Sequence, residues 1–203
     1  LEQLFTDSRS ALRFAFSYST QQYALTPMAK LMRGHVGSGK GLVGNDGAGQ
    51  AGMLRERLDN ALSGLHVAIL VARFSPAWLP CDCRSSCCSG RRRNQEWELA
   101  IVYLTEELVS VLAGCVSHRQ LRRFLIERYF GADKDAFGRK VTMEALADKC
   151  GVSRRTATSH DAKLRQYLRG TKGINGIKGQ EDLALYLADD ALRGAGFLEA
   201  AAA

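Results

Sequence analysis

Residues 142–168, TMEALADKCGVSRRTATSHDAKLRQYL, hold two short apolar stripes of helical period with a single glycine between them. Thr142 suits the N-cap of a first helix in which Met143, Leu146, Ala147 and Cys150 share an inward face. Gly151 supplies the positive φ that a tight turn between helices needs, and Val152 plugs the angle. Ser153 caps a second helix whose Ala157, His160 and Leu164 recur at helical spacing, with Ala157 small enough for close approach. Ser153, Arg154, Arg155, Thr158, Ser159 and Ala162 then turn to solvent, with Lys163 at the margin.

Such a pair is the helix-turn-helix pattern, which lays its second helix in the DNA major groove. The expected DNA-binding set is therefore Ser153, Arg154, Arg155, Thr158, Ser159 and Lys163. An ordinary helix pair with a solvated basic face is the bland alternative. His160 reads as a packing residue.

The rest of the chain is consistent with a polyanion partner. Over 203 residues, Lys and Arg number 28 against 21 Asp and Glu, for a formal net charge of +7. Basic residues cluster at 119–128 and 154–169, on either side of the motif's start. With 46% hydrophobic residues, 24% charged and three prolines, the composition is that of a folded protein rather than a disordered one. The longest apolar run, Leu65 to Ala72, contains His66 and falls far short of the roughly 20 residues a bilayer requires. LEQLFTDSRSALRFAF lacks the ordered regions of a secretory signal, so a cytoplasmic, bacterial setting is expected.

Outward from the motif, periodicity predicts helices over 4–23, 27–32, 53–72 and 93–112, another from Ser117 or His118 to Phe130, and a last one over 181–192. Leu183, Tyr186, Leu187 and Ala191 are its expected docking residues. The glycine-rich stretch 34–52 reads as a loop, and the glycines at 170, 173, 176 and 179 as a flexible linker. The fold class expected is all-α. Its parts are a helical lobe over 1–115 with loops at 34–52 and 81–93, a helix-turn-helix domain over 116–170, and a linker and C-terminal helix over 171–203.

Three segments invite a chemical reading. GHVGSGKG, 34–41, approaches a phosphate-binding loop, but Gly41 stands where Ser or Thr would hold magnesium and a helical pattern precedes it. Nucleotide hydrolysis is not expected. Cys81, Cys83, Cys87 and Cys88 in CDCRSSCC could bind zinc, although a C-x-C and an adjacent pair replace the usual C-x-x-C knuckles; a basic loop with packed thiols is the rival. His35, His66, His118 and His160 form no local catalytic arrangement, so no enzyme is expected.

The run FLIERYFGADKDAFGRKVTMEALADKCGVSRRTATSHDAKLRQYL, 124–168, resembles the fourth conserved region of bacterial sigma factors. The wider span 70–168 carries the pair Cys87 and Cys88 followed by a glycine, the Trp97 helix and the LIERYF helix leading into LADKCGVS. It resembles the Q-type late-gene antitermination proteins of lambdoid phages, the phage 21 type above all, and their bacterial and prophage relatives. The resemblance implies a transcription antitermination factor that binds promoter-region DNA, joins a sigma-containing paused RNA polymerase, and promotes terminator readthrough by modifying the RNA exit channel. Lys40, Arg91, Arg92 and Arg93 would then face polymerase or emerging RNA. The competing expectation is an operator-binding transcriptional regulator without antitermination activity.

Overall fold

A computed structural model describes residues 5–18, 44–81, 83, 88–112, 118–134, 139–171 and 176–198. Among them are eight helices and one short ribbon, so the chain is mostly helical as expected, with a small antiparallel sheet that periodicity did not foresee. The calls at Pro27 to Met32, at 34–43 with Lys40, and at Cys87 and Cys115 lie outside the described residues. Contacts divide the chain into two compact units, Leu1–Ser75 with Leu183–Ala203, and Pro76–Asp182. The divisions fall at 75/76 and 182/183.

In the first unit, α1 (Ser8–Ser17) starts where the Asp7 carboxylate accepts from Ser10 N–H at 2.8 Å. That hydrogen bond also holds the Asp7 carboxyl below its ordinary value. Helix α2 (Gly44–Ala61) occupies much of the stretch expected as a loop. Gly47 lets it lie close against the end of α1: a Cβ there would meet the Tyr18 hydroxyl at 2.5 Å, and Ala51, Leu54 and Leu58 continue the same buried stripe. Arg55 fastens the pair by donating to Ala15 O at 2.7 Å.

The predicted helix over 53–72 is broken at Leu62, because Ser63 caps a new helix, α3 (Gly64–Phe74). Its VAILV run is helical, and Ala68 to Ala72 are buried. Most of α8 (Gln180–Gly194) belongs to this unit, and its inward face differs from expectation. Ala184, Ala188, Ala191 and Leu192 are buried, whereas Tyr186 is exposed. Of the residues expected to dock, Ala191 is buried, Leu183 and Leu187 are half-buried and Tyr186 is outside, while Ala184, Ala188 and Leu192 complete the inward face.

The second unit begins with the ribbon of β1 (Trp78–Pro80) and β2 (Arg91–Arg93), paired Trp78 to Arg93, Leu79 to Arg92 and Pro80 to Arg91. Asn94 then caps α4 (Gln95–Glu107) while its Nδ2 donates to Pro76 O at 2.9 Å, joining the ribbon to the helix. Trp97, Ala100, Ile101, Leu104, Leu108 and Leu112 bury the predicted stripe.

Helix α5 (Arg119–Tyr129) packs on α4 and also on α6 (Met143–Lys149) and α7 (Arg154–Arg169). Leu121, Leu125 and Ile126 are fully buried there, each worth about 1.5–3 kcal/mol of removal from water. Of the glycine-rich stretch after α7, 172–175 lie outside the described residues, and the flanking parts are joined to each other. Gly170 and Lys178 form an antiparallel bridge, and Thr171 N–H donates to Ile177 O at 3.0 Å.

Candidate nucleic-acid interface and thiol cluster

The turn from α6 to α7 is built from local hydrogen bonds. Val152 N–H reaches back to Ala147 O at 3.0 Å and Gly151 N–H to Asp148 O at 3.1 Å, the paired closure of a Schellman motif. Gly151 takes φ +64, a value that favours glycine. One residue later, Ser153 Oγ accepts from Thr156 N–H at 3.0 Å and starts α7. Thr142 caps α6 likewise, accepting from Ala145 N–H at 3.2 Å.

The two faces of α7 separate as the spacing predicts. Ala157, Leu164 and Leu168 are fully buried and His160 nearly so, beside Leu146, Ala147 and Cys150 of the α6 segment. Met143 and Val152, also expected inward, are only half-buried. Ser153, Arg154, Arg155, Thr158, Ser159, Ala162 and Lys163 are all exposed. Arg154, Arg155, Thr158, Ser159 and Ala162 line an open hollow, because Ala162 offers only a methyl group between longer neighbours. Among the described residues, no acidic side chain pairs with Arg154 or Arg155.

Further along, Arg165 is committed to Asp161 at 2.6 Å, so its charge is balanced within the helix. Gln166 and Arg169 prolong the exposed side beyond the residues picked from sequence. Their signal was the same helical spacing, followed no further than Lys163.

Burial pushes the His160 imidazole below its ordinary value, and the nearby Lys163 charge adds to this. The ring packs on the buried face of α7 with Ala157 and Leu164. Burial likewise raises the Cys150 thiol.

The arginine run is not uniform. Arg91 and Arg92 are exposed, but Arg93 lies over Trp78 and Trp97, its guanidinium 4.2 and 5.1 Å from their ring centres. Arg93 Nη2 also meets Glu127 Oε2 at 3.2 Å, and Glu127 in turn holds Arg123, which pairs with Glu98. The Arg93 side chain, expected with Arg91 and Arg92 to face polymerase or RNA, is thus a packing element, held by Trp78 opposite it in the ribbon, by Trp97 and by Glu127. Lys40 lies outside the described residues.

Beyond β1, the Sγ atoms of Cys81, Cys83 and Cys88 all lie within 4.8 Å of one another. Three of the four predicted thiols therefore converge, and the fourth, Cys87, lies outside the described residues. Hydrogen bonding with Cys83 pushes the Cys88 thiol up, while the Gly90 N–H aimed at its sulfur works the other way. Three thiols at this separation can hold a thiophilic metal ion.

Comparison with known proteins leaves these sites to be read from their own geometry: no family model, no curated protein and no solved structure matches the chain.

Proposed function

We propose that this protein is a transcription factor that binds promoter-region duplex DNA through α6 and α7, used as a helix-turn-helix. The observation that carries this reading is the division of α7 into a buried face and an exposed one. Arg154, Arg155, Thr158 and Ser159 surround a hollow on one side, and Ala157, His160, Leu164 and Leu168 pack on the other. Arginine reads guanine edges and binds phosphates, hydroxyls add short polar contacts, and the Ser153 cap leaves the N-terminus of α7 directed at a phosphate. Lys163 adds charge at the edge of the same face.

The resemblance of 70–168 to Q-type proteins and of 124–168 to sigma region 4 extends the proposal. After DNA binding, the protein loads onto paused RNA polymerase and promotes terminator readthrough by modifying the RNA exit channel. Arg91 and Arg92 are then the candidates for polymerase or nascent RNA contact. This work is positional and electrostatic and calls for no catalytic group, in keeping with a cytoplasmic regulator rather than an enzyme. Zinc at the cysteine cluster would have a structural part.

Transcription across a terminator, on a template with its cognate promoter region, tests the proposal. Readthrough should rise with added protein, and Arg154→Ala and Arg155→Ala should each weaken sequence-selective binding and lower the salt slope by about one. Unchanged readthrough with normal promoter binding would leave the operator-binding regulator. Unchanged DNA binding in both variants would move the recognition surface off α7.

A further inference from the structure

We propose that Cys81, Cys83 and Cys88 form a thiolate site for a zinc-class ion, and that this ion clasps the end of the β1–β2 ribbon, fixing the backbone that presents Arg91 and Arg92. The proposal is independent of what those arginines bind.

Distances support the ion. Zinc–sulfur bonds of about 2.3 Å set neighbouring sulfurs roughly 3.8 Å apart in a tetrahedron. Sulfurs already within 4.8 Å of one another need to close by an ångström or less. A disulfide, with sulfurs about 2.05 Å apart, would use two of these thiols and leave the third over. Three thiolates supply three donors, and a further donor or water completes the coordination.

Gly90 ties the thiols to the strands. Its carbonyl accepts from Cys81 N–H at 2.9 Å. Gly90 adopts φ +72 with open space around its Cα, so backbone conformation alone calls for glycine there.

The ribbon has a reason to need a clasp. It comprises three register pairs, one of them Pro80, which has no N–H to donate. The end at Trp78 and Arg93 is held by the Arg93 stack and by the Asn94 contacts with Pro76 and Ala77. At the opposite end, Cys81 follows β1 directly and Cys88 precedes β2 by three residues. An ion bound to both closes this end, and ion binding contributes directly to order there.

The test uses full-length, reduced, metal-free protein. Added Co2+ should bind stoichiometrically, give a thiolate-to-cobalt charge-transfer band with tetrahedral ligand-field bands, and be displaced by Zn2+. The triple variant Cys81→Ser, Cys83→Ser, Cys88→Ser should lose these bands. No charge-transfer band in the wild type, or a band surviving in the triple variant, overturns the site. If the triple variant does not fold, the exposed Cys83→Ser variant takes its place. For the clasp, Zn2+ should slow amide exchange over 79–93 by roughly tenfold or more, with α6 and α7 unaffected. Exchange over 79–93 unchanged while zinc is bound overturns it.

Discussion

The Arg93 guanidinium lies 4.2 Å from the centre of the ring of Trp78, its partner in the ribbon register. Trp97 of α4 forms a second wall, and Glu127 of α5 supplies the counter-charge at 3.2 Å. One side chain thus connects the ribbon to two helices of its unit. Its neighbours Arg91 and Arg92 are exposed.

Arg93→Ala should therefore lower stability by about 1–3 kcal/mol, from lost stacking and from a Glu127 left with one fewer partner. Arg93 is about one-third exposed, so solvent weakens the ion-pair part. Arg91→Ala and Arg92→Ala should stay within about 0.5 kcal/mol of the wild type. Denaturant midpoints compare the three, and equal values would mean that the stack stabilises nothing. Arg93→Lys keeps the charge but loses the planar group, so it should fall between wild type and Arg93→Ala.

The crossing of Gly170 and Gly179 gives a second contrast. A Cβ on Gly179 would lie 2.4 Å from Gly170 N and 2.3 Å from Leu168 O; one on Gly170, at φ +80, would lie 2.2 Å from Ile177 O. Backbone atoms cannot yield as a flexible side-chain tip can. Either glycine to alanine should cost about 1–3 kcal/mol and speed exchange of the Thr171 amide, which donates to Ile177 O. A silent pair of variants would restore the flexible-linker reading of this segment.

Helix α2 predicts the opposite sign. Gly49 and Gly52 are exposed within a helix, with nothing near a Cβ built on either. Gly49→Ala and Gly52→Ala should each raise stability by about 0.5–1 kcal/mol by restricting the unfolded chain. Gly47→Ala should not, since its methyl would meet the Tyr18 ring, which already stacks on Phe14. Thermal melts of the three variants check the order, and a melt raised equally by Gly47→Ala would contradict the close packing of α1 on α2.

These contrasts show where sequence was informative. The α6–α7 pair was legible because cap, turn and burial depend on neighbours within a few residues: Thr142, Gly151 and Ser153 act locally, and Ala157, His160 and Leu164 mark one helical face. The ribbon was not, since three-residue strands have no period to detect and pair only across a long sequence gap. Glycine density concealed α2 because propensity carries no knowledge of Tyr18 waiting opposite Gly47. Size misled at α8, where close packing chose Ala184 and Ala188 over Tyr186. In the arginine run, charge alone could not separate Arg93 from Arg91 and Arg92, whereas its contacts with Trp78, Trp97 and Glu127 do. The thiols were recognisable as a metal-ligand type, but their convergence depends on the turn that Gly90 makes.

His160 ties α7 to pH. It is 3% exposed on the packed face of α7, and burial, aided by Lys163, holds its imidazole below the ordinary value of 6.5. Above 6.5 the ring is largely neutral in both folded and unfolded chains and favours neither. As pH falls below 6.5, the unfolded chain takes up a proton that the folded site resists, so stability declines; the loss stops growing below the lowered folded value. His160→Met keeps an apolar side chain of similar length and removes the titration, so the difference between wild type and variant should change between about pH 8 and pH 5, with the wild type losing relative stability toward acid. Denaturant unfolding across that range measures it. A difference independent of pH would mean that the ring accepts its proton without cost. Because Ala157 and Leu164 pack on the same face, the acid loss should loosen α7 and lower exchange protection along that helix, and under the proposed function DNA affinity should fall in parallel.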